Sequence, residues 1–149
     1  MISRIDGFQM VYNGSVQELT SEQTIQPLDS KNIPAMLALT AQTVPGPFSE
    51  KTIDFGHYHG IFNKDRLVAM AGQRLHPGTF AEISGVCTHP DFTGKGFARQ
   101  LILHQIRRIL ENNETPFLHV KSENSSAIKL YQSIGFEIRT EIFFHVFRK

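Results

Sequence analysis

The sequence predicts an α/β protein on a mixed sheet, and three features predict it. Apolar runs joined by short turns fill the middle of the chain, from His57 to Thr88. At Ala98 the apolar spacing becomes helical: Ala98, Leu101, Ile102, Gln105, Ile106 and Ile109 form one stripe. Strand and helix then alternate to the C-terminus. An antiparallel meander followed by a strand–helix–strand unit puts both strand directions into one sheet.

The elements follow in order. Phe8 to Tyr12 reads as a short strand. Asn13-Gly14-Ser15 is a turn, and the polar run Ser15 to Gln23 a linker. Residues 1–21 are therefore set apart from a domain at 22–149. Gln23 to Leu28 is a strand. Asp29 or Ser30 caps a helix with Pro34 in its first turn and Ile33, Met36, Leu37 and Leu39 near one face. That helix stops before Pro45-Gly46-Pro47, and Phe48 to Phe55 is a second helix or an ordered loop. His57 to Phe62 and Arg66 to Leu75 flank the turn Asn63-Lys64-Asp65. His76-Pro77-Gly78 turns into a third strand, Phe80 to Thr88, where Gly85 marks a bulge or a close backbone approach. A helix from Ala98 closes at Glu111-Asn112-Asn113, and Phe117 to Val120 is a strand. Asn124 to Ser133 is a helix stopped by Gly135; Phe136 to Arg139 and Ile142 to Phe147 are two final strands. From Gln23 the order is β-α-α-β-β-β-α-β-α-β-β.

Composition bounds the function. A chain of 149 residues with 40% hydrophobic residues builds one cored domain. Fifteen basic residues against fourteen acidic ones leave no excess to drive nucleic-acid binding. A single cysteine excludes a disulfide within the chain and fits a reducing, cytoplasmic setting. No apolar run spans a bilayer, and Met1 to Met10, with Arg4 and Asp6, does not read as a signal peptide.

The most informative stretch joins the third meander strand to the long helix. Val86-Cys87-Thr88-His89-Pro90 ends a strand, and Thr93-Gly94-Lys95-Gly96-Phe97-Ala98 turns straight into a helix. Glycine allows close backbone approach, and the first amides of a helix lack partners and point along its positive end. Such a turn cradles phosphate. It is also what an ordinary strand-to-helix turn looks like.

A second motif separates these readings: Asn124-Ser125-Ser126-Ala127-Ile128-Lys129-Leu130-Tyr131-Gln132-Ser133-Ile134-Gly135-Phe136. Together the two resemble the GNAT superfamily of N-acetyltransferases, whose patterns are Arg/Gln-x-x-Gly-x-Gly/Ala and Asn-x-x-Ala-x-x-Leu-Tyr-x-x-x-Gly-Phe. Thr93 stands where the family has Arg or Gln. The resemblance covers Gln23 to Lys149; since some members of the superfamily carry a degenerate copy of the fold ahead of the catalytic one, it makes Phe8 to Tyr12 the remnant of such a half or simply an edge strand. It implies a GNAT-like fold and acetyl-CoA as co-substrate. The diphosphate would meet the N–H groups of Thr93, Gly94, Lys95, Gly96, Phe97 and Ala98. The pantetheine arm would pair with the strand edge Val86-Cys87-Thr88, in a gap where two strands splay. Val86 N–H would polarise the thioester carbonyl. Asn124, with Ala127 beside it, would meet the pantetheine arm, and the loop Val44-Pro45-Gly46-Pro47-Phe48 would cover the acceptor.

Several residues carry two readings. Tyr131 has the chemistry of an acid that protonates a thiolate, and equally of a core aromatic; Asn124, Ala127 and Tyr131 share a helix face. Glu82 is the candidate general base for the amine, or it is solvated or ion-paired with Arg66 or Arg74. Glu82 and Val86 share strand parity unless a bulge at Gly85 intervenes. Cys87 is a small apolar strand residue, or a nucleophile paired with His89. His57 and His59 alternate as a metal pair would, but no Cys or carboxylate joins them at ligand spacing, so they line the acceptor pocket or face solvent and no metal is expected.

The reading is an acetyl-CoA-dependent N-acetyltransferase: a primary amine, from a small molecule or peptide, attacks the thioester in a ternary complex. A catalytically silent CoA-binding regulatory module is the alternative, needing Gly94, Gly96 and Asn124 but neither Glu82 nor Tyr131. A nucleotide binder ranks last, since the glycine turn lacks a Gly-Lys-Ser/Thr ending. Neither nucleic acid nor membrane is an expected partner, and monomer and homodimer both remain open. The run Ile142 to Phe147 has aromatic residues on both faces.

Overall fold

A computed structural model describes residues 2–14, 24–43 and 57–147. The expected linker from Ser15 and the loop Val44 to Phe48, with the helix or loop after it, lie outside the described residues. Ten elements are described: β1 (Ile2–Tyr12), β2 (Ile25–Pro27), α1 (Ile33–Thr43), β3 (His59–Asn63), β4 (Arg66–Gln73), β5 (Phe80–Thr88), α2 (Phe97–Glu111), β6 (Thr115–Lys121), α3 (Ser125–Ile134) and β7 (Phe136–Phe147). The strands form one mixed sheet in the order β2-β3-β4-β5-β6-β1-β7. All neighbours are antiparallel except β5 and β6, which the crossover through α2 makes parallel.

Local chemistry accounts for most boundaries. Asp29 opens the first helical segment with a capping box: its side chain accepts from Lys31 N at 2.9 Å, and the Asn32 side chain accepts from Asp29 N at 2.9 Å. The β3–β4 turn contains Lys64 in the left-handed region, φ 56°. Gly135 ends α3 at φ 128°, where a side chain would also press on Tyr12. Among the described residues no helix is long and apolar enough to cross a membrane.

Two expectations are corrected at the sheet's far end. Phe8 to Tyr12 belongs to an eleven-residue strand that is not an edge. β1 lies between β6 and β7, pairing Gly7–Val11 with Phe117–Lys121 and Ile2–Tyr12 with Phe136–Phe147. Nor does the chain end in two strands: β7 runs unbroken for twelve residues, Phe136–Phe147. A register shift at Gln9/Met10 absorbs Arg139, which interrupted the alternation in the sequence.

Helices cover both faces. On one, α2 and α3 bury Ile102, Ile106, Ile109 and Ile134 against Met10, Ala81, Ile83, Leu118 and Phe136. On the other, α1 packs Met36 and Leu39 against Tyr58, Leu67, Met70 and Cys87.

Candidate active site

The glycine turn holds the geometry that its sequence predicts. After β5, His89 accepts from Asp91 N and opens a 3₁₀ turn at Pro90–Phe92, which Thr93 Oγ closes by donating to Pro90 O at 3.1 Å. The Thr93 side chain is thus engaged in the turn itself. Gly94 and Gly96 have φ of 78° and 81°. Gly96 caps α2 without any side-chain hydrogen bond, and the first turn of α2 holds no acid. A Cβ on Gly94 would meet nothing within 4 Å, and one on Gly96 would first meet Gln100 Nε2 at 3.8 Å. Phe97, 7% exposed, anchors the turn while Lys95 stays exposed. Helix-end amides and dipole together face open space, which suits a diphosphate.

Beside this turn the sheet divides. β5 and β6 pair only at Phe80↔Thr115, Ala81↔Pro116 and Glu82↔Phe117, yet β5 runs on to Thr88 and β6 to Lys121. Beyond Glu82 the parallel ladder stops and the strands part. The bulge expected at Gly85 is present, with φ 67° and a register shift against β4. It reverses the strand's parity. Ala81, Ile83 and Val86 pack on the α2 face, whereas Cys87, 7% exposed, packs on the α1 face. Glu82 and Val86 therefore face opposite sides, because the extra residue breaks the alternation.

On α3, Asn124 is the N-cap: its Oδ1 accepts from Ala127 N at 3.3 Å and from Ser126 Oγ at 3.3 Å. The Asn124 oxygen thus serves as a helix cap. Tyr131 lies partly buried on the α2 face, its ring edge-on to Phe136 with centroids 6.1 Å apart. Burial pushes its pKa up to about 12, so the phenol keeps its proton at neutral pH.

On the opposite face, Glu82 is 2% exposed and both its oxygens are engaged. Arg74 Nε donates to Oε1 at 2.9 Å and Arg74 Nη2 to Oε2 at 2.8 Å, the ion pair weighed for this residue. His119 Nδ1 also lies 2.8 Å from Oε2. Burial alone would push this carboxyl up, but the bonds from His119 and Arg74 outweigh it and hold it below the ordinary value. Both oxygens of Glu82 are thus already engaged by Arg74 and His119. The sequence reading missed His119. Its signal was a lone histidine in Phe117-Leu118-His119-Val120, two residues from the position paired with Glu82.

The remaining chemistry lies elsewhere. His89 contacts Arg66 Nη2 and caps the 3₁₀ turn, so its ring is committed away from Cys87. His59 does not line an open pocket: it is 7% exposed beneath α2, Nδ1 3.1 Å from Gln105 Nε2, with the His104 ring edge-on at 4.5 Å. His57 precedes β3 and meets Arg108 Nη2 at 2.9 Å. Among the described residues no group of His, Cys, Asp or Glu is placed to hold a metal ion. Burial first, then His104, depresses the His59 pKa to about 4. The unfolded chain therefore binds a proton that the folded chain refuses as pH falls from 6.5 towards 4, and stability drops across that window. His59→Gln should flatten this slope, removing about 2 kcal/mol of acid destabilisation in urea titrations between those limits; equal slopes would disprove it.

Comparison with known proteins agrees with this geometry. Over 123 residues the chain is 29% identical to the [ribosomal protein bS18]-alanine N-acetyltransferase of Salmonella typhimurium, covering 78% of this chain and 82% of that one. A crystal structure from Novosphingobium aromaticivorans, described as an acetyltransferase from the GNAT family, superposes with TM-score 0.89 at 37% identity, over 95% of this chain. The chain spans 63% of that longer protein. The PaiA N-acetyltransferase of Thermoplasma acidophilum, solved with coenzyme A, shares the fold with TM-score 0.67 at 14% identity, over 84% of this chain and 98% of that one. Residues 58–144 match the FR47-like protein family, and with the divided sheet and glycine turn in place the chain belongs to that family and to the GNAT superfamily of N-acetyltransferases.

Proposed function

We propose that this chain transfers the acetyl group of acetyl-CoA to a primary amine by direct attack in a ternary complex, in a cytoplasmic setting. One observation carries the reading: the β5–β6 ladder stops at Glu82, and the strand that leaves the fork leads into the uncapped α2 N-terminus. The site fits the co-substrate, since Gly94 and Gly96 keep clear the space that side chains would fill. Backbone N–H groups from Thr93 to Ala98 hold the diphosphate. The Val86-Cys87-Thr88 edge takes the pantetheine amides, with Asn124 and Ala127 at the head of α3 alongside. Acetyl-CoA supplies the thioester carbonyl, which Val86 N–H polarises. Tyr131 approaches from the α2 face and donates its proton to sulfur, and the amine arrives on the Glu82 face. The proposal counts Ile2–Tyr12 with the catalytic unit, because β6 and β7 share it as a partner.

The test is thioester consumption with acetyl-CoA against a panel of primary amines. Relatives named for the alanine of ribosomal protein bS18 place a peptide with N-terminal alanine on that panel. Binding of acetyl-CoA without turnover on any amine would leave the silent CoA-binding module instead. Tyr131→Phe should lower kcat about 100-fold with acetyl-CoA affinity unchanged, since the ring stays and only the proton donor goes. An unchanged kcat would remove Tyr131 from the acid role.

A further inference from the structure

Resting on that acetyl-transfer reading, we propose that His119 is the general base of the reaction and that Glu82 positions it. The pair sits where the sheet divides. Glu82↔Phe117 is the last rung of the parallel ladder, and His119 is two residues further along β6 on the same face. The 2.8 Å contact from Nδ1 to Oε2 thus bridges β5 and β6 where backbone pairing ends. A thioester entering the fork beside Val86 comes up against this bridge. Of the two side chains, Glu82 is 2% exposed and His119 is 18% exposed, so the imidazole is the one within reach of an acceptor.

The surrounding bonds also decide where the imidazole proton lies. Arg139 can only donate, so the 2.6 Å contact of its Nη1 fixes the Gln9 oxygen towards Arg139. The Gln9 amide nitrogen then faces His119 Nε2 at 3.2 Å and donates to it. Nε2 is the acceptor, and the proton sits on Nδ1, donated to Glu82. A carboxylate on Nδ1–H orients the ring and favours the imidazolium that forms when Nε2 takes a proton. The Gln9 link at 3.2 Å is the longest of this chain, against 2.6 to 2.9 Å elsewhere, so an amine N–H displaces it readily.

In the step itself, the amine lone pair forms the C–N bond and the C–S bond breaks. The amine proton passes to His119 Nε2 and the sulfur takes its proton from Tyr131. Exchange with solvent returns a proton to Tyr131 and removes one from His119. Among the described residues, Glu82 on β5 meets His119 directly, with Arg74 behind it and Tyr58 near both, and Arg139 on β7 reaches it through Gln9.

The experiment has two parts. Long-range ¹H–¹⁵N spectra of the parent should show His119 protonated on Nδ1, and Glu82→Gln should lose that preference. Steady-state kinetics with acetyl-CoA and the amines of the panel should show kcat lower by about 1,000-fold in His119→Gln, acetyl-CoA affinity within twofold, and the acid limb of kcat/KM against pH gone. Glu82→Gln should shift that limb as well. A His119→Gln enzyme within threefold of the parent kcat and with the same pH profile overturns the base role while leaving acetyl transfer intact. So does a proton found on Nε2. A parent that fails to bind acetyl-CoA overturns the acetyl-transfer reading and the base role together.

Discussion

Gly96→Glu is expected to weaken acetyl-CoA binding about 100-fold or more. Two effects act together. Gly96 has φ 81°, a conformation that costs a side-chain-bearing residue about 1–2 kcal/mol. The new carboxylate would then stand at a helix N-terminus that carries no acid, where it would repel a diphosphate and occupy the amides meant for it. The strain acts on Kd through the unliganded turn, which relieves it by leaving the cradle geometry; with the repulsion this reaches about 3 kcal/mol, or two orders of magnitude in Kd. Calorimetric titration with acetyl-CoA reads the loss directly. Gly78→Ala is the matched control: Gly78 has φ 60° and open space around it, but it lies in the turn before β5, at the opposite end of that strand from the cradle. It should bear similar strain and bind acetyl-CoA like the parent. Equal affinity in Gly96→Glu and the parent would place the diphosphate elsewhere.

The second large effect is on stability. Glu82→Ala should lower the unfolding free energy by about 3 kcal/mol. The loss arises less from the vanished attraction than from what stays behind, an Arg74 guanidinium and a His119 ring aimed at an emptied, buried position. Arg74 is 34% exposed and recovers part of its hydration, which keeps the figure at the lower end for a broken buried pair. For a domain of 149 residues, that is a fall of about 6–12 °C in Tm. The pH dependence carries a sign. Because the folded-state pKa of Glu82 is depressed, its contribution is present above the unfolded value of 4.5 and is lost as pH falls through the folded one. Urea denaturation of parent and Glu82→Ala should therefore converge in acid, and a gap that stays constant below pH 4 would contradict the assignment.

Much of the site was legible because its parts are local. The glycine turn needs only Gly94 and Gly96 beside a helix start, and the bulge needs only Gly85 within a strand. The α2 stripe was read correctly even at Gln105, which lies fully buried: its Oε1 accepts from Gln73 at 2.9 Å, and its Nε2 donates to His57 O at 2.7 Å. Tyr131 and Asn124 came with a helix motif thirteen residues long. Glu82 was singled out by residue type and strand, but its partners were harder to see. Arg74 is eight residues away and within reach of a hairpin argument, whereas His119 is 37 residues away and Gln9 lies 110 residues from His119.

By itself the sequence determined the kinds of most described elements, the caps and turns that bound them, and the two motifs that mark the superfamily. Each of these depends on backbone preference and apolar spacing within about fifteen residues. Only the tertiary structure decided that Ile2–Tyr12 lies between β6 and β7, that the β5–β6 ladder ends at Glu82, and that a carboxylate and an imidazole meet there. Strand neighbours far apart in the chain are chosen by which sheet edges remain open and which side chains can be buried and hydrogen-bonded together, and no local pattern records that choice.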